Sequence, residues 1–274
     1  MPFTLRVDIF RIMSNTIEVI LLGILEGITE FLPISSTGHL LIAEHWLGKR
    51  PELFNIFIQS GAVLAVLFIY GNHVKSLFSD WRKKENFDYL SKITLSFGIT
   101  AAFGVLASKT GFKLPEELAP IAWAVLIGAI AIFLVERYAK THPGNELVTW
   151  RLAVFVGLAQ VLAGIFPGTS RSAACILVAM LAGANRPIAT EFSFLVGIPT
   201  MFAASAYSLL KIKGEIKSLD SSMLFDLGLG FTTSLIVAFL VVKWLLRYIQ
   251  THTFIPFAWY RIGLASLLFY YLLK

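Results

Sequence analysis

The sequence predicts an all-α integral membrane protein with an inverted-topology repeat, each half a re-entrant helical hairpin plus three transmembrane helices. Three observations lead there. Hydrophobic residues fill 57% of the 274 positions and charged ones only 15%, against roughly a quarter charged in a soluble chain. Apolar runs near the ~20 residues that cross a ~30 Å hydrocarbon layer recur along the chain. Two junctions between runs are prolines followed by small hydroxylated residues, about half the chain apart.

In order, the runs fall at 16–32, 36–47, 53–71, 91–108, 119–138, 150–166, 171–183, 188–210, 222–245 and 254–273. Arg6 and Arg11 precede the first, but Glu26 interrupts it and no small-x-small cleavage site follows, so it is expected to stay in the mature protein. Met13 is an alternative start, since the apolar pattern does not need residues 1–12. Runs 36–47 and 171–183 are short and abruptly joined to their predecessors. The joints are Pro33-Ile34-Ser35-Ser36-Thr37-Gly38 and Pro167-Gly168-Thr169-Ser170-Arg171-Ser172. Proline removes a helix hydrogen bond, and Ser or Thr then caps the next helix. Backbone freed at membrane depth survives only where protein buries it or water reaches it, which makes both joints hairpins turning back mid-membrane. At an offset of 134, Gly23 pairs with Gly157, Glu26 with Gln160, Pro33 with Pro167 and Ser36 with Ser170. The three full spans between the hairpins, 53–71, 91–108 and 119–138, put the second hairpin on the opposite side of the bilayer. Spans 188–210, 222–245 and 254–273 complete the second half. The expectation is one membrane domain over 1–274, repeat 1 at 16–138 and repeat 2 at 150–273; ten ordinary spans with polar kinks are the alternative.

Charge places the protein less well. A net +6 suits anionic lipid headgroups, yet basic loops are usual in inner-membrane proteins. Ten basic residues on one side against eleven on the other do not orient the chain. No nucleic-acid partner is expected, a homodimer is compatible with the pattern, and the single cysteine, Cys175, excludes an intrachain disulfide.

Ionisable groups inside apolar runs are costly and therefore functional candidates. Glu26 and Glu30, at i and i+4, put two carboxylates on one helix face, where they repel unless a cation or a shared proton lies between them. The pair reads as a divalent-cation site shared with substrate phosphate, as an acid/base pair, or as a structural pair satisfied by neighbouring helices. Ser36 and His39, at i and i+3 on the opening turn of the next helix, can face one space as nucleophile and base. Free N–H groups and the positive helix end there suit a phosphate, so Ser35, Thr37 and Gly38 are expected to bind substrate. On the second tip Arg171 fits a forked phosphate clamp, or a counter-ion for Glu26 or Glu30, beside Gly168, Thr169, Ser170 and Ser172 as further substrate contacts. Ser36 is the expected nucleophile, with His39 or a carboxylate taking its proton; attack by His39 itself or directly by water are the rivals. Gln59, Ser60, Glu191 and Ser193 carry weaker signals as cavity-lining residues. Arg261 reads as a pairing or snorkelling residue, and Gly23 and Gly27 as close-packing positions.

The run Glu26-Gly27-Ile28-Thr29-Glu30-Phe31-Leu32-Pro33-Ile34-Ser35-Ser36-Thr37-Gly38-His39, with Pro167-Gly168-Thr169-Ser170-Arg171-Ser172, closely resembles the bacterial undecaprenyl-diphosphatase family of the bacitracin-resistance type. The similarity extends to Glu191-Phe192-Ser193-Phe194 and Phe254-Ile255-Pro256-Phe257, and so covers essentially the whole chain. The resemblance implies release of inorganic phosphate from undecaprenyl diphosphate, leaving the monophosphate carrier reused in cell-wall synthesis. It also implies a divalent cation, Mg²⁺ or Ca²⁺, a plasma-membrane location, and a site opening to the periplasmic side. One departure is Cys175, where the family usually has threonine. If that hydroxyl holds phosphate, activity here is expected to be lower.

Two other classes compete. Inverted repeats with broken helices aimed at an anionic group are also a transporter layout, so a transporter or flippase of a polyprenyl phosphate or other anionic lipid is the alternative. The Ser36/His39 pair beside two carboxylates is what transport does not need. An acid-phosphatase-like lipid phosphatase fails because the Ser170-Arg171 stretch lacks the downstream histidine and aspartate.

Overall fold

The computed structural model describes residues 3–110, 117–212 and 220–273. Eleven helices account for almost all of them. They are α1 (Phe3–Thr29), α2 (Ser36–Leu47), α3 (Glu52–Ile69), α4 (Gly71–Ser79), α5 (Lys84–Thr110), α6 (Leu118–Thr141), α7 (Trp150–Ile165), α8 (Arg171–Leu181), α9 (Arg186–Lys211), α10 (Ser221–Tyr248) and α11 (Ile255–Leu272). Side-chain caps start several of them. Thr149 accepts Leu152 N–H at 3.1 Å to open α7, and Asn185 accepts Ile188 N–H at 3.0 Å to open α9.

Five helices, α3, α5, α6, α9 and α10, are long and apolar enough to cross a membrane. Their outward faces stay apolar: Ile127, Leu134, Leu210 and Leu240 are all at least 60% exposed. Such a surface is matched by hydrocarbon, not water, and the chain is a multi-pass membrane protein. The sequence predicts six crossings. The sixth, α11, has 18 residues, and Arg261 and its polar aromatics dilute it. The short amphipathic helix α4 has no counterpart among the apolar runs, because His73, Lys75 and Ser76 break the pattern.

Inside, small residues let backbones approach. Ala62, Ala65, Ala129, Ala153, Ala179 and Ala189 are completely buried in the main core. Helix α1 packs on α10, α5 on α7, and α6 on α11, while α3 meets both α9 and α10. Gly23 and Gly157 sit where a Cβ would come 2.9 Å from the carbonyls of Gly230 and Ser96. Each is therefore held to glycine by a neighbouring backbone.

The two helix–break–helix pairs, α1–α2 and α7–α8, fall at the expected prolines. The pairing across them needs one correction. Ser35 and Ser170 are the caps of α2 and α8, both at positive φ (75° and 69°), accepting the Gly38 and Ala173 N–H groups. Ser170 thus corresponds to Ser35, not Ser36, because the second break has one more residue between proline and cap. Non-glycine residues at positive φ are uncommon, and both caps are held there by the hydrogen bonds around them.

Candidate functional site

Helix α1 ends at Thr29, whose hydroxyl bonds the Leu25 carbonyl at 2.8 Å, and the chain turns through Pro33 into α2. This turn delivers Glu30 beside the first residue of α2. Ser36 Oγ donates to Glu30 Oε2 at 2.7 Å, and Arg171 Nη2, from the start of α8, lies 3.3 Å from Glu30 Oε1. Both oxygens of one buried carboxylate are therefore engaged, one by a hydroxyl and one by a guanidinium. Glu26 faces Glu30, is 1% exposed, and its Oε2 has no partner. Arg171 Nη1 is also without one; it lies against Gly197, and the guanidinium stands 5.6 Å above the Phe31 ring, which packs edge-on against Phe194.

Glu26, Ser36 and Thr37 open onto a cavity of about 350 Å³ shared with Glu44, Glu52, Asn55, Gln59 and Ser208. Gln59, a weak signal in the sequence, is thus at the site. Ser60 instead bonds Ile56 O and Ser205 Oγ, and Glu191 lies 3.5 Å from His73. Ser193 is buried with no partner.

His39 shares the opening turn of α2 with Ser36, but its ring is bonded elsewhere. Its Nδ1 lies 2.7 Å from the Ser35 carbonyl and its Nε2 2.7 Å from the Tyr260 hydroxyl, whose ring stacks on the imidazole. A carbonyl only accepts, so Nδ1 carries the proton and the neutral ring's Nε2 accepts from Tyr260. The hydrogen-bond acceptor for Ser36 is Glu30. Gly38 uses its N–H on the Ser35 cap and sits among Val125 and Leu264.

The second tip is bonded to the first. Ser172 Oγ donates to the Leu32 carbonyl at 3.0 Å and lies 3.0 Å from Ser170 Oγ, while Thr169 Oγ1 closes onto Phe166 O at 2.7 Å. Gly168, at φ 92°, lets its chain lie against Ile121. Of the second-tip residues expected to bind substrate, Arg171 alone reaches Glu30. Cys175 is fully buried, its Sγ 3.9 Å from Val156 O on α7, so its side chain meets α7.

Sequence reasoning missed what Arg261 does. It is 0% exposed, so it does not snorkel, and it donates to the carbonyls of Pro33, Ala124, Val125, Gly168 and Thr169 at 3.0–3.3 Å. One guanidinium thus ties both breaks to α6: it satisfies the carbonyls of Pro33, Gly168 and Thr169, which lie outside any helix, and anchors on those of Ala124 and Val125 within α6. Gly128 makes room for it. An arginine inside an apolar run was the available signal.

Among the described residues no three His, Cys, Asp or Glu side chains gather as a self-sufficient metal cage. The two facing carboxylates, one oxygen unpartnered, still fit a hard divalent cation that takes its remaining ligands from phosphate.

Fold and site together define a multi-pass helical membrane protein with a buried acid–hydroxyl–arginine cluster opening into a cavity. Residues 19–267 match the family described as bacitracin resistance protein BacA, and the chain belongs to that family. It is similar to proteins named undecaprenyl-diphosphatase: 52% identical to that of Xylella fastidiosa over 93% of this chain and 98% of that one. Against the Rhizobium johnstonii protein the figures are 54%, 92% and 95%, and against the Xanthomonas oryzae one 49%, 95% and 98%.

Proposed function

We propose that the protein hydrolyses undecaprenyl diphosphate to undecaprenyl phosphate and inorganic phosphate, returning a lipid carrier to cell-wall synthesis. The observation that carries this reading is the Ser36–Glu30–Arg171 chain of contacts beside Glu26. Ser36 Oγ attacks the terminal phosphorus, its proton passing to Glu30 over the existing 2.7 Å bond. The phosphoanhydride bond breaks, and undecaprenyl phosphate leaves. Water then hydrolyses the phosphoserine and releases inorganic phosphate. Arg171, with Nη1 unpartnered, takes phosphate oxygens as charge builds on them. His39, occupied at both nitrogens, serves to hold the Ser35 turn. Glu26 and Glu30 would hold a divalent cation, Mg²⁺ or Ca²⁺. When bound it would neutralise diphosphate charge.

The finer architecture belongs to the same reading. An inverted repeat of two re-entrant hairpins accounts for the shared cap conformation at Ser35 and Ser170 and for the matching packing at Gly23 and Gly157. The expected setting is the bacterial plasma membrane, with the cavity opening on the periplasmic side; a homodimer is compatible with this arrangement, and light scattering in detergent decides it. Purified protein should release phosphate from undecaprenyl diphosphate and stop on chelation, restarting with Mg²⁺ or Ca²⁺. Folded protein that releases none under any cation would favour a lipid transporter.

A further inference from the structure

Two buried atoms on adjoining helices lack partners that the rest of the molecule would supply. Ser234, on α10, is completely buried and its Oγ bonds nothing. Other mid-helix hydroxyls here, such as Ser60, Thr94 and Thr232, donate to the carbonyl four residues back. Ser234 does not. On the facing helix, Glu26 Oε2 is a buried acceptor without a donor. The helices are in contact at this level, because Gly27, next to Glu26, lies against the Ser234 carbonyl and Ala238 N.

Helices α7 and α5 pack in the same register and make the bond. The residue 134 positions after Glu26 is Gln160, and the residue 134 before Ser234 is Thr100. Gln160 Nε2 donates to Thr100 Oγ1 at 3.1 Å. The flanking contact repeats too, with Gly157 on Ser96 O where Gly23 lies on Gly230 O. An amide brings its own donor to a hydroxyl, whereas a carboxylate needs the hydroxyl to donate.

We infer that Ser234 is a positioning residue for Glu26, its hydroxyl donating to Oε2 in the working enzyme and holding the carboxylate toward Glu30 and the cavity. The inference rests on the reading of Glu26 as part of the catalytic pair. A residue that orients a ligating carboxylate typically carries about 10–100-fold of affinity or activity. An idle buried hydroxyl carries the opposite sign, since replacing it with a methyl is neutral or stabilising.

Purified wild-type protein, Ser234→Ala and Ser234→Thr are compared by Ca²⁺ titration calorimetry and by phosphate release. Ser234→Ala should lose about 10–100-fold in kcat and in Ca²⁺ affinity, with KM for the lipid little changed, and Ser234→Thr should restore both. Wild-type turnover and Ca²⁺ binding in Ser234→Ala would overturn the inference. Should the alanine variant not fold, Ser234→Cys against Ser234→Thr replaces it: the weak thiol donor should lose turnover that threonine keeps, and equal activities would overturn the pairing. Glu26→Gln separates the layers. Normal turnover there removes the Glu26 reading itself, whereas an inactive Glu26→Gln beside a fully active Ser234→Ala removes only the role of Ser234.

Discussion

The two helix breaks share a shape and differ in what their side chains are free to do. At each, a serine at positive φ caps the following helix. At the first, Ser36 and Thr37 open onto the cavity and Glu26 keeps an unpartnered oxygen. At the second, Ser172 is bonded to the first tip and Thr169 to its own turn. Only Arg171 crosses to the carboxylates. Two breaks with the same cap conformation need not carry the same side-chain contacts: the first leaves Ser36, Thr37 and Glu26 on the cavity, and the second bonds to the first and lends it one charge.

Substitutions can break that comparison. Ser36→Ala should abolish phosphate release by at least about 10³-fold, the scale of losing an activated nucleophile. Glu30→Gln should lose about 10²–10⁴-fold through the missing base; turnover near normal in either would empty the first tip of its chemistry. Arg171→Lys keeps charge without the planar fork and should cost about 10²-fold in kcat. A fully active lysine variant would make Arg171 a plain counter-ion. Ser172→Ala tests the buttress. It should leave kcat nearly intact and lower stability in detergent by about 0.5–1.5 kcal/mol, since the Leu32 carbonyl loses one of its two donors and keeps the Ile34 N–H, a difference read as a shifted Tm. Loss of turnover without loss of stability would return Ser172 to the substrate. Smallest of all, Tyr260→Phe should reduce turnover only about 2–10-fold, the worth of one hydrogen bond on His39. A larger loss would restore His39 to the chemistry.

The prolines, the capping serines and the Glu26, Glu30, Ser36 and Arg171 cluster were legible because each is a local anomaly, a breaker or a charge inside an apolar run. Helix α2 lies at the limits expected for it, Ser36–Leu47. What the spacing could not give was the choice among partners. Ser36 and His39 do share a turn, but Tyr260 arrives from 221 positions away and takes the imidazole. The same holds for Glu136, fully buried and accepting from Arg186 and the Phe254 N–H. Such pairings are set by packing, and one sequence does not display packing. The offset of 134 misled at the caps because the second break has one more residue between proline and cap, a local difference that leaves the offset intact where Gly157 meets Ser96 and Gly23 meets Gly230.

Arg261 also gives the chain a timetable. Every carbonyl it serves belongs to a residue synthesised earlier, and Pro33 precedes it by 228 positions. At about 5–20 residues per second that is on the order of 10 s to a minute of translation. Through that interval the first tip exists without the donor that closes it. Its polar backbone must stay near water or the insertion machinery until α11 packs on α6. The first tip is thus closed only once α11 packs on α6: the part of the chain made first is the last to be completed.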